Sequence, residues 1–96
     1  HLDYLKAGAD IVTANTFRTH RRVLVGTGYD ARDLTRRAVA TAQEAVAEFG
    51  QPARVAGSVA PLEDCYRPDR VPSDDECRAE HAERIQHLVD AGVDLL

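Results

Sequence analysis

At 96 residues, with 44% hydrophobic and 29% charged side chains, the sequence has the composition of one small globular domain or of a section of a larger one. A net charge of −4 argues against a general nucleic-acid binder, and no apolar run approaches the roughly 18 residues of a membrane-spanning helix. Two cysteines are too few for a disulfide framework, which makes the cytoplasm the expected compartment.

The chain opens His-Leu-Asp-Tyr-Leu-Lys, without a basic segment before an apolar one, and it contains no Met. It closes on Val-Asp-Leu-Leu. Both ends read as cut, so the expectation is that 1–96 is an internal fragment of a single domain.

Residues 1–7 read as the last turns of a helix, with Leu2 and Leu5 on its apolar side and Gly8 as a left-handed cap. Ala9 to Ala14 form a short buried strand, and Asn15-Thr16-Phe17 follow at its C-terminal end. Arg18 to Val25 make a helical turn that Gly26-Thr27-Gly28 breaks. Asp30 is the next N-cap, with Asp33 three residues on. Leu34, Ala38, Ala42, Ala45, Val46 and Phe49 then recur at helical spacing, until Gly50 and Pro52 stop the helix.

Arg54 to Ser58 read as a second strand, and Val59 to Pro72 as a long loop containing Pro61, Pro68 and Pro72. Ser73 and Glu76 have the spacing of a capping box. Cys77, His81, Ile85, Leu88 and Val89 mark the predicted buried stripe of the following helix. Gly92 ends that helix, and Val93 to Leu96 begin a third strand.

Strands alternating with helices of this length predict a parallel sheet with right-handed crossovers. The run Ala7-Gly8-Ala9-Asp10-Ile11-Val12 is echoed by Ala91-Gly92-Val93-Asp94-Leu95-Leu96. The echo places helix end, glycine and strand in one frame, as repeated βα architectures do. Three strands cannot close a parallel barrel, and an eight-fold barrel takes roughly 250 residues.

Parallel α/β folds carry their working residues at the C-terminal ends of strands. Thr13, Asn15 and Thr16 offer neutral donors and acceptors there, suited to a zwitterionic or hydroxylated small molecule, with Phe17 as an apolar wall. The same groups also serve to cap local backbone. Gly57-Ser58 is a place for a ligand to approach the backbone, but Ser58 has no His or Asp partner in sequence that would make it a nucleophile. The loop from Glu63 to Asp69 is dense in functional groups and reads equally as a binding loop or a solvated surface.

Cys65, Cys77, His81 and His87 lack the spacing of a structural zinc site, so no metal ligand is assigned within the chain. Cys77 and His81 are better read as packed side chains, and His1 and His20 as surface groups. Arg21-Arg22 and Arg36-Arg37 look like solvated helix faces; phosphate binding would need a glycine-rich cradle that is not present.

These residues also form a recognisable series. Ala7 to Phe17 resembles the segment of the homocysteine S-methyltransferase family written AGADI…TNT(F/Y), and Val55 to Pro61 resembles its aGSvgP segment. The following run of Tyr, Ser-x-x-Glu, His and Gly-Val-Asp-Leu-Leu is similar too, so the resemblance covers essentially the whole chain. It implies a (β/α)8 TIM barrel of which this chain would supply about strands 2 to 4 with their helices. It implies transfer of a methyl group to the thiol of homocysteine, giving methionine. The donor would be S-methylmethionine, S-adenosylmethionine, betaine or a methylated cobalamin.

A zinc ion held by three cysteines would bind the thiolate, since a free thiol is mostly protonated near neutral pH. Those cysteines fall in later strands of the family, outside this chain. Asn15, Thr16, Phe17 and Ser58 match positions lining the substrate pocket, so the resemblance implies homocysteine contacts for them and no catalytic residue here. The implied partners are homocysteine and a small-molecule methyl donor, with neither nucleic acid nor membrane. Ala14 and Ala60 depart from the family pattern, the latter standing where Gly is usual. The alternatives are another TIM-barrel enzyme and a non-catalytic or degenerate α/β barrel segment. Lys6 is the only lysine and lies in a helix, so the chain offers no Schiff-base residue at a strand end.

Overall fold

The computed structural model describes all of residues 1–96. In chain order they form α1 (Leu2–Lys6), β1 (Ile11–Thr13), α2 (Arg21–Leu24), α3 (Ala31–Phe49), β2 (Arg54–Ala56) and α4 (Asp74–Ala91), with one 3₁₀ turn at Pro68–Arg70. This is a mixed α/β arrangement. β1 and β2 pair in parallel, with Ile11 opposite Arg54, Val12 opposite Val55 and Thr13 opposite Ala56.

The last residues begin a third strand, as expected. A single parallel bridge, Ala56 to Leu95, continues the sheet beyond β2. Asp94 ties this segment to β2 twice. Its backbone N–H donates to Val55 O at 2.8 Å, and its carboxylate Oδ2 accepts the Val55 N–H at 2.7 Å. A side chain thereby takes the donor that a backbone carbonyl would use in a regular ladder.

Helix ends follow the local grammar closely. Asp30 caps α3 by accepting the Asp33 N–H at 2.8 Å, and Ser73 caps α4 by accepting the Glu76 N–H at 3.3 Å. Gly50 and Gly92 close the two helices at φ 74° and 87°, a left-handed backbone that a side chain would strain.

The core joins Leu5, Val12, Ala14, Val39, Ala42, Val55 and Leu88. Fully burying a leucine or valine contributes about 1.5–3 kcal/mol. Successive strand residues point to opposite faces, so the buried Val12 and Val55 lie under the helices while Ile11, Thr13 and Arg54 stay exposed on the open face.

Two helix stripes differ from expectation. In α3 the buried residues are Ala31, Thr35, Val39 and Ala42, while Leu34 and Ala38 are only half-buried on the flank. The short side chains let α3 lie close against α1 and α4. In α4 the buried residues are Arg84 and Leu88. Ile85 and Val89 each follow one residue later, about 100° round the helix, and are exposed. Cys77 and His81 are half-buried. An arginine occupies the inward position that an apolar stripe would have given to another side chain.

Candidate functional site

The C-terminal ends of β1 and β2 carry the candidate residues. After Ala14 donates its N–H to Ala56 O, the first strand turns away, with the Thr16 N–H closing back on Ala14 O at 2.8 Å. The next rung is made by a side chain. The Thr16 hydroxyl donates to Ser58 O at 3.0 Å and accepts the Ser58 N–H at 2.9 Å. A hydroxyl has one donor and two acceptor sites, so it replaces both a backbone donor and a backbone acceptor. Thr16 is 1% exposed, and its polar group is committed to this bridge.

The other candidates remain available. Asn15 is exposed and Ser58 half-buried, and neither side chain makes a hydrogen bond within the chain. Past the turn at Ala14, Asn15 lines a shallow cleft with Thr19, Tyr29 and the Leu34, Ala38 and Thr41 flank of α3. Phe17 is 47% exposed, with the Arg18 guanidinium 5.8 Å from its ring centre. Phe17 lines a different cleft from Asn15, beside His20, Arg22 and the Pro61–Cys65 loop, so these 96 residues do not gather the amide, the hydroxyl and the aromatic edge into one cavity. No base or nucleophile stands among them.

Gly57 has a different role from the close ligand approach suggested by its sequence context. A Cβ there would lie 2.9 Å from Leu88 Cδ2 and 3.2 Å from Leu96 Cδ2. The missing side chain makes room for α4 and the chain end, not for a ligand. Ala60 needs no special backbone, because every residue with positive φ is a glycine.

Two residues that hold this region together escape a sequence reading. Arg84 is 4% exposed. It donates through Nη1 to Ala60 O, and through Nη2 to Thr16 O and Phe17 O, both at 3.4 Å. It has no carboxylate partner, and burial pushes its pKa below the ordinary arginine value. The signal in sequence is faint: a single arginine one turn before the buried Leu88.

His20, expected at the surface, is 5% exposed. Its Nε2 lies 3.2 Å from Leu62 O, and its Nδ1 has no partner. A carbonyl can only accept, so the Nε2–H tautomer is set by this contact. Burial lowers the His20 pKa, opposed by the hydrogen bond to Leu62, while Arg84 lowers it further and Glu80 raises it.

The Arg21-Arg22 pair is not a simple solvated face. Arg22 donates from Nε and Nη2 to Glu80 at 2.8 Å, from Nη1 to Glu63 at 2.9 Å and from Nη2 to Glu76 at 3.2 Å. These bonds raise the Arg22 pKa and hold the Glu80 carboxyl below its usual range. Arg21 is exposed and pairs with Glu83. Arg36 and Arg37 are exposed and both face Asp33.

Cys65 is exposed, and Cys77 donates weakly to Pro72 O at 3.7 Å. No group of three or more His, Cys, Asp or Glu side chains could hold a metal ion. No helix is long and apolar enough to cross a membrane.

The homocysteine S-methyltransferase family model matches residues 1–96. Two solved structures of the Escherichia coli homocysteine methyltransferase MmuM, in metallated and oxidized forms, are similar. Each is 33% identical, with a TM-score of 0.83 over 99% of this chain. The chain spans 38% of the length of those structures. No curated protein sequence matches. With the family model covering every residue and the fold agreeing, this chain belongs to the homocysteine S-methyltransferase family.

Proposed function

We propose that the full-length protein moves a methyl group to the thiol of homocysteine, giving methionine, and that residues 1–96 supply one wall of the acceptor pocket. The family match over the whole chain carries this reading. In the proposed arrangement β1, β2 and the Leu95 bridge are consecutive parts of a (β/α)8 barrel, about strands 2 to 4. Exposed Ile85 and Val89 on α4 would pack on the rest of that barrel. The enzyme would work in the cytoplasm, with homocysteine and a small-molecule methyl donor as its partners.

Within this wall the Asn15 amide and the Ser58 hydroxyl would hydrogen-bond the polar end of the amino acid. Phe17 would lie along its methylenes and limit water. Thr16 would act through the backbone it fixes. The contribution is binding and orientation, which keeps the thiol in reach of the donor.

The zinc implied by the family resemblance does not fit residues 1–96, which contain no suitable ligand group. Its ligands would come from elsewhere in the protein, and no step of the transfer runs through a metal held here. The segment alone should therefore form no methionine.

Steady-state kinetics of the full-length protein test the pocket assignment. Asn15→Ala and Ser58→Ala should each raise KM for homocysteine about ten-fold, an effect on the order of 1.4 kcal/mol, with a smaller change in kcat. Unchanged kinetics in both variants would contradict it.

A further inference from the structure

Three side chains tie the loop after β1 and α4 to the loop after β2: Thr16 to Ser58, His20 to Leu62, and Arg84 to Ala60. Arg84 differs from the others in origin. It belongs to α4, in the helix layer, yet its guanidinium reaches carbonyls on both strand-end loops at once. One planar group with five donors in a fixed fork suits that task. An ammonium is a single compact charge, and an apolar side chain would leave the Ala60 and Phe17 carbonyls unpaired, Thr16 O keeping its bond from the Thr19 hydroxyl.

The carbonyls it binds are also specific. Two belong to Thr16 and Phe17 themselves, and the third lies two residues after Ser58. We propose that Arg84 is a positioning residue for homocysteine: it clamps the two loops that present Asn15, Phe17 and Ser58, so that these meet the amino acid in one arrangement. This rests on the functional reading above. Arg84 touches neither substrate nor donor, and it acts only through the loop backbones.

The clamp explains why an arginine stands inside α4 without a carboxylate. A salt bridge would draw the guanidinium to one partner. Three neutral carbonyls engage both of its terminal nitrogens while leaving it fixed between two loops. The cost of burying the charge, visible as the lowered pKa of Arg84, is what this arrangement offsets.

The test uses the full-length protein with Arg84→Lys and Arg84→Gln, and exposed Arg36→Lys as the control. Lys keeps the charge and loses the fork; Gln keeps an N–H donor without burying a charge, so one variant remains informative if the other fails to fold. Amide hydrogen exchange should accelerate about ten-fold or more across residues 15–19 and 58–62 while α1 and α3 keep their protection. KM for homocysteine should rise about ten-fold or more with kcat changed less than about three-fold, because displaced loops weaken binding of the acceptor.

Unchanged exchange in both loops overturns the clamp. So does acceleration spread evenly over α1 and α3, which marks Arg84 as general scaffolding. Looser loops with unchanged KM overturn its role in substrate positioning. If the wild-type protein consumes no homocysteine, the functional reading and the positioning of that substrate both fall, and the exchange data alone decide whether the loops are clamped.

Discussion

The Thr16 hydroxyl and the Ser58 backbone exchange two hydrogen bonds, at 3.0 and 2.9 Å, where the β1–β2 ladder would otherwise end. A side chain thus carries the sheet one rung past its last backbone pair. The two strand ends stay level, while the first is free to turn and present Asn15 and Phe17. Thr16→Val keeps the shape but leaves both Ser58 groups unpaired, which should cost about 1–3 kcal/mol. Thr16→Ser should cost clearly less. Urea unfolding of the full-length protein measures both, and equal stability of Thr16→Val and wild type would refute the bridge.

Gly57→Ala puts a methyl group 2.9 Å from Leu88 Cδ2, in a part of the core where Leu88 is 2% exposed. Overpacking of this kind should lower stability by about 1–3 kcal/mol. Leu88→Val in the same background should recover part of the loss, so the two changes should not add. Additive melting-temperature shifts would show that the contact does not limit this site.

His20 should make stability depend on pH. Its folded pKa lies below the ordinary 6.5, chiefly through burial. Besides burial, Arg84 and His81 lower it, while the hydrogen bond to Leu62 O and the Glu80 carboxylate oppose them. The neutral form is favoured on folding, so its contribution is complete above 6.5 and is lost as pH falls through the lower folded value. Between about pH 7.5 and about pH 5, the wild-type melting temperature should fall more than that of His20→Gln. Parallel curves would show that His20 contributes nothing to this dependence.

The sequence made the element grammar readable because that grammar is local. Asp30, Ser73, Gly50 and Gly92 each act within a few residues of themselves, and each does what its type and position predict. The rule that strand ends carry function directs attention to the stretches holding Asn15, Thr16, Phe17 and Ser58, and the family resemblance implies pocket contacts for these four. Their division of labour was hidden, since only the paired backbone shows that Thr16 is consumed by Ser58. Arg84, His20 and Arg22 were hidden for a related reason. Their environments are set by carbonyls and carboxylates 24 or more residues away. The apolar stripe of α4 misled because a buried arginine breaks the periodicity that marks an inward face.

The central claim is methyl transfer to homocysteine. The most direct measurement incubates the full-length protein with deuterium-labelled homocysteine and, in parallel, S-methylmethionine, S-adenosylmethionine, betaine and methylcobalamin, with mass spectrometry of the products. Labelling the acceptor separates methionine made from homocysteine from methionine left by S-methylmethionine. The account predicts methionine carrying the homocysteine label with at least one donor. Labelled homocysteine recovered unchanged with every donor would contradict it.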